Sequence, residues 1–279
     1  MKPRVTVMRT YPSYLGALVE CARRLHYRPA DFGLRRVLVG GEILTQGLRQ
    51  RSEEVFGPLQ FDENFSMTEL APFGGNLCSA GHLHFEPSVG LVEVSRLDGS
   101  GPAAPGEAGQ LLATPLPPFR DTTLLLRYAT GDVVNAIEGP LNCDMRHTPA
   151  TGRLDGKVRF SVRHDQGWTM PRDVVEALES DEMVPLPARY GFKPVPGGVA
   201  VEVLARSDHH SVRRALWNRL TDRGVPVRDI RVVTDPARLC NPVPLRADLH
   251  ETSFADQSPA SRGRHDSQAF VGSDSLRSA

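Results

Sequence analysis

The sequence predicts an α/β fold: a parallel sheet flanked by helices, a β subdomain appended to it, and a small α+β unit further along. Three observations carry this expectation. Between residues 5 and 57, apolar strand-like runs alternate with helical periodicity and end at glycine turns, the pattern of a parallel sheet whose ligands lie beyond the carboxyl ends of its strands. From Gly90 the texture changes to short alternating strands joined by turn-rich stretches. Beyond Lys157, helix and strand alternate again. With 279 residues, 40% of them hydrophobic, the chain has material for one or two domains with a substantial core.

Taken in order, residues 5–8 are predicted as a strand. Ser13 can cap a helix in which Tyr14, Leu15, Leu18, Val19, Ala22 and Leu25 recur at helical spacing. Arg23, Arg24 and Arg28 near its end complement the helix dipole. Residues 34–39 form a buried parallel strand broken at Gly40-Gly41, where the backbone must turn sharply or approach a ligand closely. A second helix runs from Thr45 and stops at Gly57. In the β subdomain, strands are expected over 91–94, 110–114 and 123–128, separated by Asp98-Gly99-Ser100-Gly101-Pro102 and Pro105-Gly106. The run from Gly152 to Lys157 is expected to be a hinge. Beyond it come a helix opening at Pro171, a strand over 199–204, a helix over 212–220 and a strand over 230–233. The boundaries expected are residues 1–152 for the large unit and 153–250 for the small one. Residues 251–279, rich in serine, arginine and glycine without apolar periodicity, are expected to be a disordered tail.

Charge and composition narrow the function classes. The 33 basic and 33 acidic residues cancel, so nothing gathers nucleic acid or an anionic membrane by long-range attraction. No apolar run approaches the ~18 residues of a membrane span. Met1-Lys2-Pro3-Arg4 leads into a strand instead of a signal-peptide core, so a cytoplasmic location is expected. Cys21, Cys78, Cys143 and Cys240 are too dispersed for a small disulfide scaffold, which leaves them reduced or bound to metal.

The stretch from Phe61 to Glu69 carries the chemistry most plainly. It ends in a hydroxyl, Thr68, next to a carboxylate, Glu69, a pairing that suits a phosphate and its magnesium because that cation takes oxygen ligands and few protein carboxylates. Phe65 has the flat face to stack on a base; it would serve equally as a core anchor, and Glu69 as a charge in a first helical turn. Three other motifs accompany it: Gly40-Gly41-Glu42, Arg127-Tyr128-Ala129-Thr130-Gly131-Asp132 and Gly152-Arg153. Asp132 alone would pass for a turn residue after a glycine.

In this order the four motifs resemble those of the adenylate-forming acid-CoA ligases, most closely the phenylacetate-CoA ligase branch, over residues 10 to 178. The resemblance implies the C-terminal part of a large adenylate-forming domain followed by a small α+β domain. It implies ATP, magnesium and coenzyme A as cofactors and a small carboxylic acid, aromatic by branch, as substrate. Residue by residue, it implies that Gly40, Gly41, Glu42 and Asn64 line the nucleotide pocket and that Phe65 stacks on adenine where relatives carry tyrosine. Thr68 would touch the phosphate and Glu69 hold magnesium. Asp132 would accept both ribose hydroxyls, and Arg153 approach the phosphate or ribose as the domains close. Two parts of the pattern are expected to be missing: the glycine-rich phosphate loop, which would precede the part of the family that residues 1–10 represent, and the late lysine that assists adenylation, since the chain's lysines are Lys2, Lys157 and Lys193. A second chain supplying the N-terminal half is one reading of that shortening; a binding module that holds AMP or acyl-adenylate without turnover is another.

Some branch relatives hold zinc, and the resemblance implies the same of Cys78, His84 and Cys143. Tetrahedral zinc takes four thiolate or imidazole ligands, with His82 or His147 available as the fourth. Buried small cysteines with surface histidines are the plainer alternative.

Overall fold

The computed structural model describes residues 4–137, 139 and 141–239 of the chain. The expected tail over 251–279 and Cys240 lie outside the described residues. A six-stranded sheet opens the fold, with β1 (Val7–Thr10), β2 (Arg36–Gly40) and β3 (Gln60–Ser66) in parallel. β4 (Gly74–Leu77), β5 (Leu83–Phe85) and the short β9 (Ala150–Thr151) continue it antiparallel. The first strand begins two residues later than the alternation predicts.

Helix α1 (Pro12–Arg24) and helix α2 (Gln46–Phe56) cover the parallel part through Leu15, Val19, Leu48 and Val55, which share a core with Val37, Val39 and Leu44 of the loop before α2. At the start of α2 the local signals operate as expected. Thr45 Oγ1 accepts from Leu48 N–H at 3.0 Å, and Gly57 ends the helix at φ 88°. Ser13, by contrast, is not the cap of α1. Proline at the first helical position moves the boundary to Tyr11, which offers no side-chain cap, and Ser13 falls inside the first turn. Its N–H and hydroxyl donate to Glu42 at 2.8 and 3.0 Å, so a carboxylate from the next βα turn does the capping.

The second sheet is antiparallel and runs β10 (Leu154–Lys157), β8 (Tyr128–Asn135), β7 (Ala108–Pro115), β6 (Gly90–Arg96). The strand predicted over 123–128 is not there. The apolar run 124–126 mimics a strand, but Leu124 and Leu126 are exposed, and the strand is the motif that follows, Tyr128–Asn135. Asp132 is therefore a strand residue, neither in nor next to a turn. The expected hinge is partly strand as well: β10 pairs with β8, with Lys157 opposite Asp132.

Beyond a small hairpin, β11 (Val162–His164) with β12 (Gly167–Thr169), the chain folds around a three-stranded sheet. β13 (Tyr190–Val195), β14 (Gly198–Leu204) and β15 (Val227–Val233) pack against α3 (Pro171–Glu179) and α4 (His210–Asp222) through a core that includes Val174, Leu178, Val201, Val203, Leu216 and Leu220. This core is tied to the first helical layer by buried polar contacts. Thr45 Oγ1 donates to Glu179 at 2.5 Å, and Gln46 N–H to Glu176 at 3.0 Å. Arg51, only 3% exposed, donates to the Val184 carbonyl at 3.0 Å and to Glu20 at 2.8 Å.

Candidate functional site

A cavity of about 330 Å³ opens where the carboxyl ends of β2 and β3 meet β8, β10 and α3. Its wall includes Ser13, Gly41, Glu42, Phe65, Asp132 and Lys157 together with Phe160, Glu179 and Tyr190. The β2 end is shaped by glycine. Gly41 has φ 79°, and a Cβ at Gly40 would lie 2.6 Å from Asn64 Oδ1, so the β2–β3 crossing there admits no side chain. Asp132 is 8% exposed, and burial raises its carboxyl above the usual range, against the pull of the Lys157 ammonium. Lys157 Nζ donates to Asp132 Oδ2 at 2.9 Å and to the Thr130 carbonyl at 3.2 Å. Burial likewise pushes Glu179 and Tyr190 toward their neutral forms.

A second cluster forms where a tight turn joins β4 to β5. Cys78 N–H donates to the His82 carbonyl at 2.9 Å and Gly81 turns at φ 85°. The pairing of β5 with β9, with His84 opposite Ala150, brings the loop that holds Cys143 over this turn. One ligand atom each from Cys78, His82, His84 and Cys143 lies within 4.8 Å of all the others. Cys143 Sγ is 3.4 Å from His84 Nε2, while His84 Nδ1 meets Thr148 Oγ1 at 2.9 Å. With its Nδ1–H held by that hydroxyl, His84 presents Nε2 to the cluster, and desolvation lowers its pKa. The buried Nδ1 of His82 has no hydrogen-bond partner among the described residues. Two sulfurs and two imidazoles at this spacing fit a tetrahedral zinc. Of the two histidines expected as the fourth donor, His82 belongs to the cluster; His147 is exposed and lies outside it.

No protein-family model matches the chain, and no curated protein does. Solved structures do. A 2-hydroxyisobutyryl-CoA ligase in the postadenylation state with R3-HIB-AMP superposes with a TM-score of 0.65 at 19% identity, covering 82% of this chain and 51% of that one. The fold is that of the adenylate-forming acid-CoA ligases. A benzoate CoA ligase from Burkholderia xenovorans LB400 agrees at a TM-score of 0.59 and 17% identity over 84% of this chain and 48% of its own. The anthranilate CoA ligase AuaEII with anthranoyl-AMP agrees at 0.59 and 15%, over 82% and 46%. The chain thus spans about half the length of the ligases it matches.

Within this ligase fold the residues singled out by sequence divide into three groups. Gly41, Glu42, Phe65 and Asp132 line the cavity, and Gly40 and Asn64 lie beside it around a smaller recess. Phe65 also serves the core: it is 6% exposed and edge-on to Phe85 at 6.2 Å. Thr68 and Glu69 follow β3 in an exposed turn and do not line the cavity, although the Glu69 charge is felt at Asp132. Arg153 lines the same smaller recess as Gly40 and Asn64, with its guanidinium near Gly81 in the β4–β5 turn and not in the cavity wall. Sequence reasoning missed Ser13, Glu179, Tyr190 and, above all, Lys157 as cavity residues. The first three come from segments that no local signal connects, and Lys157 faces Asp132 only through the register of β10 on β8.

Proposed function

We propose that this chain holds the adenylate in an acid-CoA ligase reaction that passes through acyl-AMP, with an aromatic carboxylate such as phenylacetate as the acid. The observation that supports it best is the buried Asp132 lining a cavity with Gly41, Glu42 and Phe65, in a fold whose solved neighbours include ligases crystallised with acyl-AMP. In this reading Asp132 accepts the two ribose hydroxyls, Phe65 borders the adenine, and Gly40, Gly41, Glu42 and Asn64 shape the base pocket. Thr68, in the exposed turn after β3, would have to move toward the cavity to touch the phosphate. Glu69 would hold magnesium, a cation that is content with one carboxylate and several waters and would supply charge neutralisation at the phosphates. Arg153 would have to swing from Gly81 to reach the nucleotide. A carboxylate oxygen of the acid attacks the α-phosphorus of ATP and pyrophosphate leaves. The thiolate of coenzyme A then attacks the acyl carbonyl and AMP leaves. The residues contribute positioning and fixed charge more than covalent chemistry.

Apart from the reaction, Cys78, His82, His84 and Cys143 would hold a structural zinc, joining the β4–β5 turn to the loop before β9.

A second reading, an AMP-binding module or one half of a two-part ligase, is favoured by the separation of Thr68 and Glu69 from the cavity wall. Calorimetry with AMP tests both. AMP should bind better than ATP, and Asp132→Ala should weaken it at least about tenfold, because it deletes charge-assisted hydrogen bonds worth roughly 1.5–3 kcal/mol each. Glu69→Gln should spare AMP binding but abolish magnesium-dependent pyrophosphate release wherever the rest of the ligase fold is supplied. No AMP binding by the wild-type chain would overturn the nucleotide role.

A further inference from the structure

Lys157 is where the cavity departs from a plain ribose site. Its ammonium bonds Asp132 Oδ2 at 2.9 Å, so half of the carboxylate that the proposed function assigns to the ribose is committed to a cation. The pairing is built by the backbone. A bulge between Leu154 and Gly156 sets β10 so that Lys157 stands directly opposite Asp132 on β8, and Gly156, at φ 125°, packs so closely on Pro171 that it has no room for a side chain. The two ends of the ion pair differ in freedom. The Asp132 side chain is 11% exposed and belongs to a central strand of its sheet, whereas the Lys157 side chain is 35% exposed, both lining the same cavity. When a ligand competes for Asp132, the lysine is the partner that can move, since its charge rides on a flexible four-carbon stem with rotatable donors.

We propose that Lys157 is a specificity-determining cation: it guards Asp132 against ribose hydroxyls unless the incoming nucleoside carries a 5′-phosphate that gives the displaced ammonium a new anion. This rests on the nucleotide-binding reading and deepens it. An unphosphorylated nucleoside must break the Lys157–Asp132 pair and leave an ammonium unpaired in a partly desolvated site, a cost that its ribose hydrogen bonds only partly offset. AMP or acyl-AMP would exchange one anion for another, the flexible four-carbon stem carrying the ammonium from the carboxylate toward the phosphate. The Thr130 carbonyl, 3.2 Å from Nζ, remains as a second acceptor that keeps the ammonium at the cavity wall during the exchange. The residue therefore separates the phosphorylated from the unphosphorylated form of one nucleoside without touching the base.

The experiment measures adenosine and AMP affinities by calorimetry on the full chain, for wild type, Lys157→Met and Lys157→Arg. Wild type should prefer AMP by at least about tenfold. Lys157→Met keeps the stem and loses the charge, so adenosine should bind several-fold tighter, AMP weaker, and the preference should collapse to near unity. Lys157→Arg should restore most of it. A merely structural lysine would move both affinities together. Unchanged preference in Lys157→Met, with both ligands still bound, overturns the proposal while leaving the nucleotide reading intact; wild-type chain that binds neither ligand overturns both. Should Lys157→Met fail to fold, the wild-type chain ¹⁵N-labelled on lysine decides: the Lys157 Nζ resonance should shift on AMP and not match the adenosine-bound spectrum, and identical shifts with both ligands refute the exchange.

Discussion

The Cys/His cluster and the Asp132 cavity are both made by pairing remote segments, yet their polar groups are balanced in opposite ways. In the cluster, two thiols and two imidazoles converge within 4.8 Å, and a buried nitrogen of His82 is unpartnered among the described residues. In the cavity, the central carboxylate already has a cation at 2.9 Å. Donors that face only one another are satisfied by an added ion, which then contributes to folding, whereas a carboxylate matched by an ammonium is stable as it stands and must exchange partners to bind anything. The cluster should therefore govern stability and the cavity selectivity.

The largest effect should come from the cluster. Purified protein is expected to carry close to one zinc per chain, and Cys78→Ser or Cys143→Ser should abolish it and lower stability by several kcal/mol, of the order of the ~4 kcal/mol that a ligand at a thousand times its Kd supplies. His147→Ala should change neither. Metal analysis with thermal unfolding checks both, and metal-free protein prepared without chelator would dissolve the contrast between the regions.

A mutation that loosens the cavity's surroundings should leave the cluster alone. Arg51→Ala strips buried partners from Glu20 and the Val184 carbonyl across the junction of the helical layers and the C-terminal core. It should cost roughly 3–5 kcal/mol in denaturant unfolding. Zinc content should not change; if it falls with stability, the two regions are one cooperative unit.

Asp155 offers a smaller, pH-dependent test on the cavity side. It is on β10 two residues from Lys157, accepts from Asn135 Nδ2 at 2.7 Å, and is pushed up to about 6 by burial, with the Arg172 guanidinium opposing. A carboxyl whose folded pKa lies above its unfolded value of 3.8 binds more protons in the native state between those two values. Its contribution is therefore most favourable below pH 3.8, is lost as pH rises to about 6, and leaves a penalty of roughly 3 kcal/mol at pH 7. Asp155→Asn should remove this term, so the stability difference between variant and wild type should grow in the variant's favour across that window and then level off. A flat difference across the window would mean that Arg172 and Asn135 compensate the burial in full.

Much of this was legible in local sequence because the physics is local. Thr45 reaches the amide three residues on, and Gly57 turns at a positive φ. Gly40-Gly41 closes a strand where no side chain fits. Cys78, His84 and Cys143 offered metal-ligating donor types, but it was the family resemblance that grouped them, and the fold brings them together. Local pattern failed where solvent exposure or distance decides. The apolar run 124–126 has strand character but does not join the sheet: Leu124 and Leu126 face solvent while Leu125 packs on the core, and the strand begins at Tyr128. Phe65 could be assigned neither to base stacking nor to the core until Phe85 was beside it. His82 and His147 are equivalent as letters; the turn at Gly81 points one inward, and the loop before β9 leaves the other in solvent. The Lys157–Asp132 pair joins residues 25 apart through strand register and a bulge. Residue types and short-range spacing thus determine which chemistry the chain carries. Which groups meet depends on long-range strand pairing, whose register is set by the burial of whole faces at once and is written in no single segment.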